Sequence, residues 1–269
     1  MGKYVSKHGE IITLDIRNTI SRRYRTVTKA INREFWGIVN ENAHSLYVGS
    51  YGRGTAIDTS DIDILVELPQ SEYNRYDIYK GNGQSRLLQA VKDTLMTSYP
   101  RTEIRADGQV VKVLFSDGIK FEVLPAFARE NFYGKKIYTY PDSNMGGNWQ
   151  STDPKAEQEA MREKNNLSNG LLFDTCKHMR YIRDNQFSSY HLSGIVIDSF
   201  VYSAINDWHW TKQNETSSTA FGDYETYLYN TFVSNYRCSW GIYAPGSNQD
   251  VSLIKSRDCL EKVLYAMAK

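Results

Sequence analysis

The sequence VGSYGRGTAIDTSDIDILVEL at residues 48–68 places a Gly-Ser pair ahead of two aspartates in an apolar run. Its second part alternates, so Asp61 and Asp63 fall on one face of a predicted strand and Ile62 and Ile64 on the other. Two carboxylates this close repel each other, and their burial is costly unless a cation neutralises them. The pattern therefore predicts a cation site, and hard carboxylate ligands favour Mg²⁺ or Mn²⁺.

Glu122 is the predicted third acid of this site. A pair of divalent ions about 3.5–4 Å apart needs a bridging pair of carboxylates and a further ligand. Glu122 lies in the alternating sequence KFEVLPA, with Phe121 and Val123 on the opposite face of the predicted strand. An Asp-x-Asp pair alone is more often part of a calcium loop or an edge strand. Its combination with a Gly-Ser turn and a later strand acid is rarely produced by chance.

Gly49 and Ser50 supply the predicted phosphate-binding part of the site. A glycine lets the backbone come close to a ligand, and the following N–H groups and the Ser50 hydroxyl can hold terminal phosphate oxygens. A metal ion that bridges those phosphates would then meet Asp61 and Asp63. The implied reaction is nucleotidyl transfer, in which one ion lowers the pKa of a ribose hydroxyl and the other stabilises the departing pyrophosphate.

The composition narrows the class of protein. Of the 269 residues, 41% are apolar, which is enough for one large domain or two packed halves. The 32 basic and 31 acidic residues leave a net charge of +1, which does not favour a duplex nucleic-acid binder or a protein of anionic membrane surfaces. The three cysteines predict neither disulfides nor a zinc site, and no apolar run approaches the roughly 20 residues of a membrane span. We therefore expect a cytoplasmic protein.

The first part of the chain predicts a mixed sheet backed by helices. Apolar residues at spacings of three and four predict a long helix over residues 11–36. The strand that carries the two aspartates is followed by an amphipathic helix over residues 84–99, which ends before Pro100. Three further strands follow, joined at Asp107-Gly108 and Asp117-Gly118, because Asp-Gly pairs are typical of hairpin turns.

Residues 135–154 are the predicted boundary between two halves. This segment, KKIYTYPDSNMGGNWQSTDP, contains two prolines and two glycines and predicts a loop-rich connection. Beyond it, apolar patterns predict helices over residues 169–185, 190–207, 223–236 and 252–269. Cys176 falls on the apolar stripe of the first of these helices, and we expect it to pack as a small hydrophobic residue.

With these residues the chain resembles the nucleotidyltransferases of the DNA polymerase beta superfamily. Within that superfamily it is similar to the oligoadenylate synthetase and cyclic GMP-AMP synthase group, and most like the bacterial cyclic-oligonucleotide synthases of antiphage defence, the CD-NTases or SMODS nucleotidyltransferases. The matching segments are GSYGRGTAIDTSDIDILV, GIKFEVLPAF, NWQSTDP and LLFDTCKHMRYIRDN with the later SSYHL.

The resemblance implies an α+β, bilobal, polymerase-beta-like fold. Its N-terminal nucleotidyltransferase lobe would cover residues 1–150, with the mixed β-sheet, the metal triad and a long N-terminal spine helix. Its helical C-terminal lobe would cover residues 151–269 and close over the nucleotides. The spine helix is expected to span both lobes.

The family's metal triad and phosphate-binding turn carry over to the residues already singled out. Asp61, Asp63 and Glu122 match the triad, and Gly49 and Ser50 match the turn. The third acid of the family is usually aspartate, whereas this chain has glutamate. The extra methylene moves the carboxylate by over an ångström unless the strand shifts.

Three residues of the second half match nucleotide contacts of the family. Lys177 matches a helix lysine on the donor triphosphate, Ser189 a serine that also touches phosphate, and Tyr190 an aromatic residue that stacks on a nucleobase. Without the resemblance, Lys177 is interpreted as a solvated helix lysine and Tyr190 as a core residue. Arg53 could help to hold phosphates or have a structural role in its loop, and Arg180 could share the helix face of Lys177.

The resemblance implies the synthesis of a cyclic di- or trinucleotide second messenger for antiphage (CBASS) signalling in the bacterial cytoplasm. The substrates would be nucleoside triphosphates, ATP and/or GTP with others possible, and the cofactor two Mg²⁺ or Mn²⁺ ions. A downstream effector would bind only the product. No nucleic-acid activator is expected, since the chain lacks the His/Cys zinc insertion of the animal enzyme, and no membrane partner is expected.

Two alternatives remain open from the sequence. The first is another transferase of the superfamily, which would make linear oligonucleotides, add nucleotides to tRNA ends or transfer a nucleotide onto a protein. The second is an inactive scaffold that binds a nucleotide without chemistry. The helices with Lys177 and with Ser189-Tyr190 argue against the first alternative, and the intact set of three acids argues against the second.

Overall fold

The computed structural model describes residues 3–9, 11–58, 61–132, 134–212 and 214–269. Contacts within the chain divide it into two compact units. The sheet unit comprises Ile12–Gly52 and Ser60–Asp153, and the helical unit comprises Met1–Ile11, Arg53–Thr59 and Pro154–Lys269. The lobes expected over residues 1–150 and 151–269 remain a prediction. By their contacts, the early segments Met1–Ile11 and Arg53–Thr59 belong to the same unit as the later helices.

A mixed sheet forms the centre of the sheet unit. Its main strands run in the spatial order β1 (Ser45–Tyr47), β2 (Ile62–Glu67), β5 (Lys120–Glu130), β4 (Val110–Leu114) and β3 (Glu103–Asp107). Strands β2 and β5 are parallel, and the other neighbours in this order are antiparallel. The Asp-Gly turns predicted from the sequence connect β3 to β4 and β4 to β5.

The connection predicted over residues 135–154 is not a loop but a hairpin, so this prediction is wrong. Strand β6 (Lys136–Asp142) pairs with the second half of β5, and β7 (Asn148–Thr152) pairs with β6. Pro141 is tolerated because β6 pairs with β5 only up to Thr139, so beyond that point the strand has a neighbour on one side alone. The paired glycines lie in the turn between the two strands.

Two long helices cover one face of the sheet. Helix α1 (Leu14–Ile31) begins where the Thr13 hydroxyl accepts a hydrogen bond from the Ile16 amide, and it continues as a π-helical stretch, Asn32–Trp36. Helix α4 (Gly83–Ser98) packs against α1, β3 and β4, and the short α3 (Gln70–Asp77) precedes it. The core between helices and sheet includes the fully buried Ile20, Val27, Leu87, Val91, Ile64 and Val123.

The helical unit has its own core. Its helices are α5 (Pro154–Leu167), α6 (Leu171–Gln186), α7 (Gly194–Ala204), α8 (Asp223–Asn235) and α9 (Arg257–Ala268). A small hairpin of β8 (Gly241–Tyr243) and β9 (Asp250–Ser252) lies between the last two helices in the chain. Cys176 is fully buried in this core, as the sequence predicts. None of the described helices combines the length and the apolarity that crossing a membrane requires.

Candidate active site

Asp63 and Glu122 are direct neighbours on the two parallel strands at the centre of the sheet. Asp63 on β2 is in register with Glu122 on β5. In-register residues of neighbouring strands point to the same face, and the strands lie about 4.8 Å apart. Ile62 and Phe121, which precede the two acids, are buried on the opposite face. The core thus fixes the two strands and leaves both carboxylates, each partly exposed, on one face.

Gly49 lies directly against the carboxylate of Asp63. The amide of Val48 donates a hydrogen bond of 2.9 Å to the Asp63 carbonyl, which brings the end of β1 to the acid. A Cβ on Gly49 would lie 1.8 Å from Asp63 Oδ2, and the backbone φ of Gly49 is +58°. The short helix α2 (Gly49–Gly52) begins at this glycine and includes Ser50. The structure therefore brings the predicted phosphate-binding turn and one predicted metal ligand together.

Asp61 is the most exposed of the three predicted acids. Its side chain is 45% exposed, and its Oδ1 lies 3.9 Å from the ammonium of Lys120. An ion pair between such exposed groups contributes about 0–1 kcal/mol. The carboxylate of Asp61 is therefore only weakly held at this position, two residues ahead of Asp63 on the same side of the chain.

Glu122 has a cationic neighbour that the sequence analysis missed. Lys112 on β4 is in register with Glu122, and its ammonium lies 3.5 Å from Glu122 Oε1 and 2.7 Å from Asp107 Oδ2. The hydrogen bond with Asp107 raises the pKa of Lys112, and the charge of Glu122 adds to this increase against the opposing effect of partial burial. The same hydrogen bond lowers the pKa of Asp107. Lys112 therefore stays charged beside the third acid.

The three predicted acids have the oxygen ligands that a divalent cation prefers, but their carboxylates do not lie close together. Asp61, Asp63 and Glu122 offer only carboxylate oxygens, the ligands that Mg²⁺ and Mn²⁺ prefer, and two of them are in register. Across the described part of the chain, no three His, Cys, Asp or Glu side chains lie close enough together to hold a metal ion. In this conformation Glu122 is paired with Lys112 instead.

The predicted nucleotide contacts of the second half lie in the helical unit. Lys177 on α6 is partly exposed and donates a hydrogen bond of 2.7 Å to the carbonyl of Gly9. Ser189 is exposed in the turn after α6. Tyr190 is 45% exposed, so its alternative interpretation as a core residue is wrong. The ammonium of Lys262 lies 4.9 Å from the centre of the Tyr190 ring. The nucleotide roles of Lys177, Ser189 and Tyr190 remain predictions.

The early segment of residues 3–9 is bound to the helical unit by backbone hydrogen bonds. The amide of Val5 donates to Glu225 Oε1 at 2.8 Å, and the amide of His8 donates to Asp174 Oδ1 at 2.9 Å. The carbonyl of Lys3 lies 3.1 Å from Nε2 of the fully buried His178. These bonds to Asp174 and His178 hold the segment along helix α6, where the carbonyl of Gly9 accepts the hydrogen bond from Lys177.

A buried cluster of charges holds the loop that follows the Gly-Ser turn. Asp198 on α7 is fully buried, and Arg180 on α6 donates to both of its carboxylate oxygens, at 2.7 and 2.9 Å. Arg53 donates to Asp198 and to Glu157 on α5, each at 2.9 Å, and Thr55 donates to Asp198 at 3.0 Å. Arg53 therefore has a structural role in its loop.

The cluster also decides the orientation of Arg180. Its side chain is 1% exposed, so it does not share the partly exposed helix face of Lys177. Burial alone would raise the pKa of Asp198, but the guanidinium groups of Arg180 and Arg53 lower it to about 2. Burial raises the pKa of Glu157, and Arg53 opposes this effect. Both arginines thus form buried ion pairs, Arg180 with Asp198 and Arg53 with Asp198 and Glu157.

Similar solved structures define the class of the fold. The CdnE cyclic dinucleotide synthase of Elizabethkingia meningoseptica gives a TM-score of 0.63 at 16% identity, over 98% of this chain and 94% of that chain. The Rhodothermus marinus CdnE c-UMP-AMP synthase gives 0.63 at 15% identity, over 93% and 89% of the two chains. The Vibrio cholerae DncV cyclic AMP-GMP synthase gives 0.55 at 14% identity, over 82% and 61%. The fold is therefore the α+β, polymerase-beta-like fold of the CD-NTases.

The sequence comparison then gives the family. The profile of the Second Messenger Oligonucleotide or Dinucleotide Synthetase (SMODS) domain matches residues 7–165, and the chain belongs to this family. A curated relative from Bacillus cereus (strain VD146), named a probable cyclic nucleotide synthase, is 29% identical over 191 residues, which cover 67% of this chain and 56% of the relative. The chain thus spans little more than half of that relative's length. The resemblance identified from the sequence is confirmed.

Proposed function

We propose that this chain is a template-independent nucleotidyltransferase that joins nucleoside triphosphates into a cyclic di- or trinucleotide and releases pyrophosphate at each step. Membership of the SMODS family supports this proposal, as does the name of the curated relative, a probable cyclic nucleotide synthase. The structural observation that carries it is the in-register pair of Asp63 and Glu122 beside the turn at Gly49. This arrangement places two carboxylates next to the backbone of Gly49, which carries no side chain that would block a ligand.

The substrates in this proposal are ATP and/or GTP, with other nucleoside triphosphates possible. The similar Elizabethkingia synthase is described with GTP and Apcpp, and the CdnG of Bradyrhizobium diazoefficiens in complex with GTP. In this chain, Gly49 and Ser50 would hold terminal phosphate oxygens through the backbone and the hydroxyl. Lys177 and Ser189 would contact the triphosphate, and Tyr190 would stack on a base, a contact worth about 1–3 kcal/mol.

Asp61, Asp63 and Glu122 would hold two Mg²⁺ or Mn²⁺ ions. When bound, such ions lower the pKa of an attacking ribose hydroxyl and stabilise the leaving pyrophosphate. The contribution of this chain is to present the carboxylates from rigid strands: the buried neighbours of Asp63 and Glu122 keep β2 and β5 in register. In this proposal the metal ions, rather than a histidine base, activate the attacking hydroxyl.

The wider setting belongs to the same proposal. Residues 1–150 would form the nucleotidyltransferase lobe and residues 151–269 the helical lobe that closes over the nucleotides, in a bacterial cytoplasmic enzyme. Its product would activate a downstream effector in antiphage (CBASS) signalling, without a nucleic-acid activator. The near-neutral net charge of +1 supports the last point, since a strongly basic balance would be expected of a duplex binder.

Product analysis tests the proposal. The purified protein is incubated with all four nucleoside triphosphates and Mg²⁺ or Mn²⁺. The products are then treated with phosphatase, and their masses are measured by mass spectrometry. We expect a phosphatase-resistant product with the mass of a cyclic di- or trinucleotide, and no such product from the Asp61→Asn, Asp63→Asn double variant. Linear oligonucleotides alone, extended tRNA or nucleotide-labelled protein would contradict the proposal and indicate another transferase of the superfamily.

A nucleotide-binding scaffold is the second candidate function. The observation that favours it is the pairing of Glu122 with Lys112, which keeps the third acid with a lysine in the described conformation. If nucleoside triphosphates bind with micromolar affinity and neither product nor pyrophosphate appears with any divalent ion, the scaffold is the better description. If pyrophosphate is released and the double variant abolishes the release, the scaffold is excluded.

A further inference from the structure

Three side chains form a charged row across strands β3, β4 and β5. The ammonium of Lys112, on the middle strand, lies 2.7 Å from Asp107 Oδ2 and 3.5 Å from Glu122 Oε1. Lys112 is in register with Glu122 and diagonal to Asp107, so all three project from the same face of the sheet. This face also carries Asp63. The third predicted metal ligand therefore already has a cation beside it that belongs to the protein.

The row is arranged so that Glu122 can leave it. The Lys112 and Glu122 side chains are 28% and 27% exposed, and an ion pair this accessible to water contributes about 0–1 kcal/mol. The ammonium is also closer to Asp107 than to Glu122. If Glu122 turned to another cation, Lys112 would keep a carboxylate partner and no charge would be left alone.

We propose that Lys112 is a positioning residue that holds Glu122 until a divalent ion takes over the carboxylate, while Asp107 retains the released ammonium. This inference rests on the proposed function, because it assumes that Glu122 is a metal ligand. It also gives a physical reason for glutamate instead of aspartate at position 122. The extra methylene lets the same carboxylate bind either Lys112 or the metal ion. Asp61 and Asp63 would form the part of the site that the ion meets first.

A direct consequence is that Lys112 competes with the metal ion. The ion must displace the ammonium from Glu122 and must also approach a fixed positive charge. Opposite or like charges a few ångströms apart interact by about 1 kcal/mol even in water, which corresponds to roughly a five-fold change in affinity. Lys112→Met, which keeps the aliphatic stem and removes the charge, should therefore bind Mn²⁺ about five-fold more tightly than the natural protein.

The test is a double-mutant cycle read by metal binding. Free Mn²⁺ is measured by electron paramagnetic resonance during titration of the full chain, of Lys112→Met, of Glu122→Gln and of the double variant. We expect Glu122→Gln to weaken Mn²⁺ binding and the gain from Lys112→Met to fall below two-fold in the Glu122→Gln background. A general effect of the lysine charge would instead give the same gain in both backgrounds, and this outcome would overturn the proposal.

Asp107→Asn gives a prediction of opposite sign. Without Asp107, Glu122 is the one described carboxylate paired with the ammonium, so Mn²⁺ should bind about three- to five-fold more weakly. The loss should disappear when Lys112→Met is also present. A loss of the same size in both backgrounds would mean that Asp107 acts through its own charge and would contradict its role of retaining the ammonium.

Lys136→Met is the matched control. Lys136 on β6 forms the same kind of pair with Glu67 on β2, at 2.8 Å, and Glu67 is not one of the predicted metal ligands. This variant should change Mn²⁺ affinity by less than two-fold, and thermal unfolding should show that every variant is folded. If Glu122→Gln leaves Mn²⁺ binding unchanged, the metal role of Glu122 in the proposed function fails. If it weakens binding while Lys112→Met has no effect, only the role of Lys112 fails.

Discussion

The carboxylate of Asp63 occupies the space that a side chain at position 49 would need. A Cβ on Gly49 would lie 1.8 Å from Oδ2 and 2.5 Å from Cγ of Asp63. It would also lie 2.9 Å from Cβ of Asp63, an atom fixed by the backbone of the central strand β2, whose carbonyl at Asp63 accepts the amide of Val48. The glycine of the predicted phosphate-binding turn and the aspartate of the predicted metal site therefore depend on each other.

We predict that Gly49→Ala strongly reduces nucleotidyl transfer. The new methyl group must push the Asp63 carboxylate aside, and a displacement of about 1 Å at a reacting centre can cost roughly 100-fold in rate. The positive φ adds strain of about 1–2 kcal/mol for a residue with a side chain. Pyrophosphate release and urea unfolding of the variant measure the two effects separately.

Gly37→Ala is the control for backbone strain alone. Gly37 ends the π-helical stretch with φ +66°, and a Cβ there would meet nothing within 4 Å. It should lose a similar free energy of unfolding and keep its activity within about two-fold. Equal losses of activity in the two variants would show that the clash with Asp63 is not the cause.

The metal-site strand could be predicted from sequence because alternation is a local property. Asp61 and Asp63 are two residues apart, and the buried residues between and after them show which face of the strand is the core. Glu122 could be added because it lies in a second alternating strand, and β2 and β5 do place it in register with Asp63. Lys112 could not be identified in this way, since its relation to Glu122 depends on the register of a hairpin rather than on spacing.

The buried charge cluster lay beyond sequence analysis for a related reason. Arg53 and Asp198 are 145 residues apart, and Arg180 and Asp198 are 18 residues apart, so no local pattern connects them. From spacing along the helix alone, Arg180 is expected to be a neighbour of Lys177 on the helix surface. The hairpin at residues 136–152 is hard to predict because it contains Pro141 and two glycines, which are typical of loops.

We predict that Asp198→Asn strongly destabilises the helical unit. The substitution removes the buried charge that Arg180 and Arg53 share, and breaking a buried ion pair in this way costs about 3–5 kcal/mol. Asp258→Asn is the control, because the pair of Asp258 with Lys262 is exposed and contributes at most about 1 kcal/mol. Urea unfolding at neutral pH measures both. A loss below 1 kcal/mol for Asp198→Asn would contradict the structural role of the cluster.

We predict that Tyr190 contributes to nucleotide affinity through its ring. Tyr190→Ala should weaken the binding of ATP or GTP by roughly 5- to 100-fold, since stacking of a base on an aromatic residue is worth about 1–3 kcal/mol. Tyr190→Phe keeps the ring and should stay within about two-fold of the natural protein. Because Tyr190 is 45% exposed, neither substitution should disturb the core. Equal affinities for the alanine and phenylalanine variants, measured by calorimetry, would contradict stacking.

We predict that the segment of residues 3–9 detaches from the helical unit as the pH falls below about 6.5. Burial lowers the pKa of His178 from 6.5 to about 4, against the opposing hydrogen bond with the Lys3 carbonyl, and burial also lowers the pKa of His8. A histidine whose pKa is lower in the folded state is neutral there. Its stabilising effect is therefore complete above pH 6.5 and is lost as the pH falls towards 4.

Hydrogen exchange of residues 3–9 and urea unfolding between pH 7 and 5 provide the measurement. For His178, a pKa difference of this size amounts to about 2 kcal/mol at pH 5. His178→Gln keeps a side-chain donor for the Lys3 carbonyl and removes the titrating ring, so it should lose much less stability over this range. His209→Gln, at an exposed position, should behave like the natural protein. Equal pH dependence in the natural protein and His178→Gln would show that His178 does not control the segment.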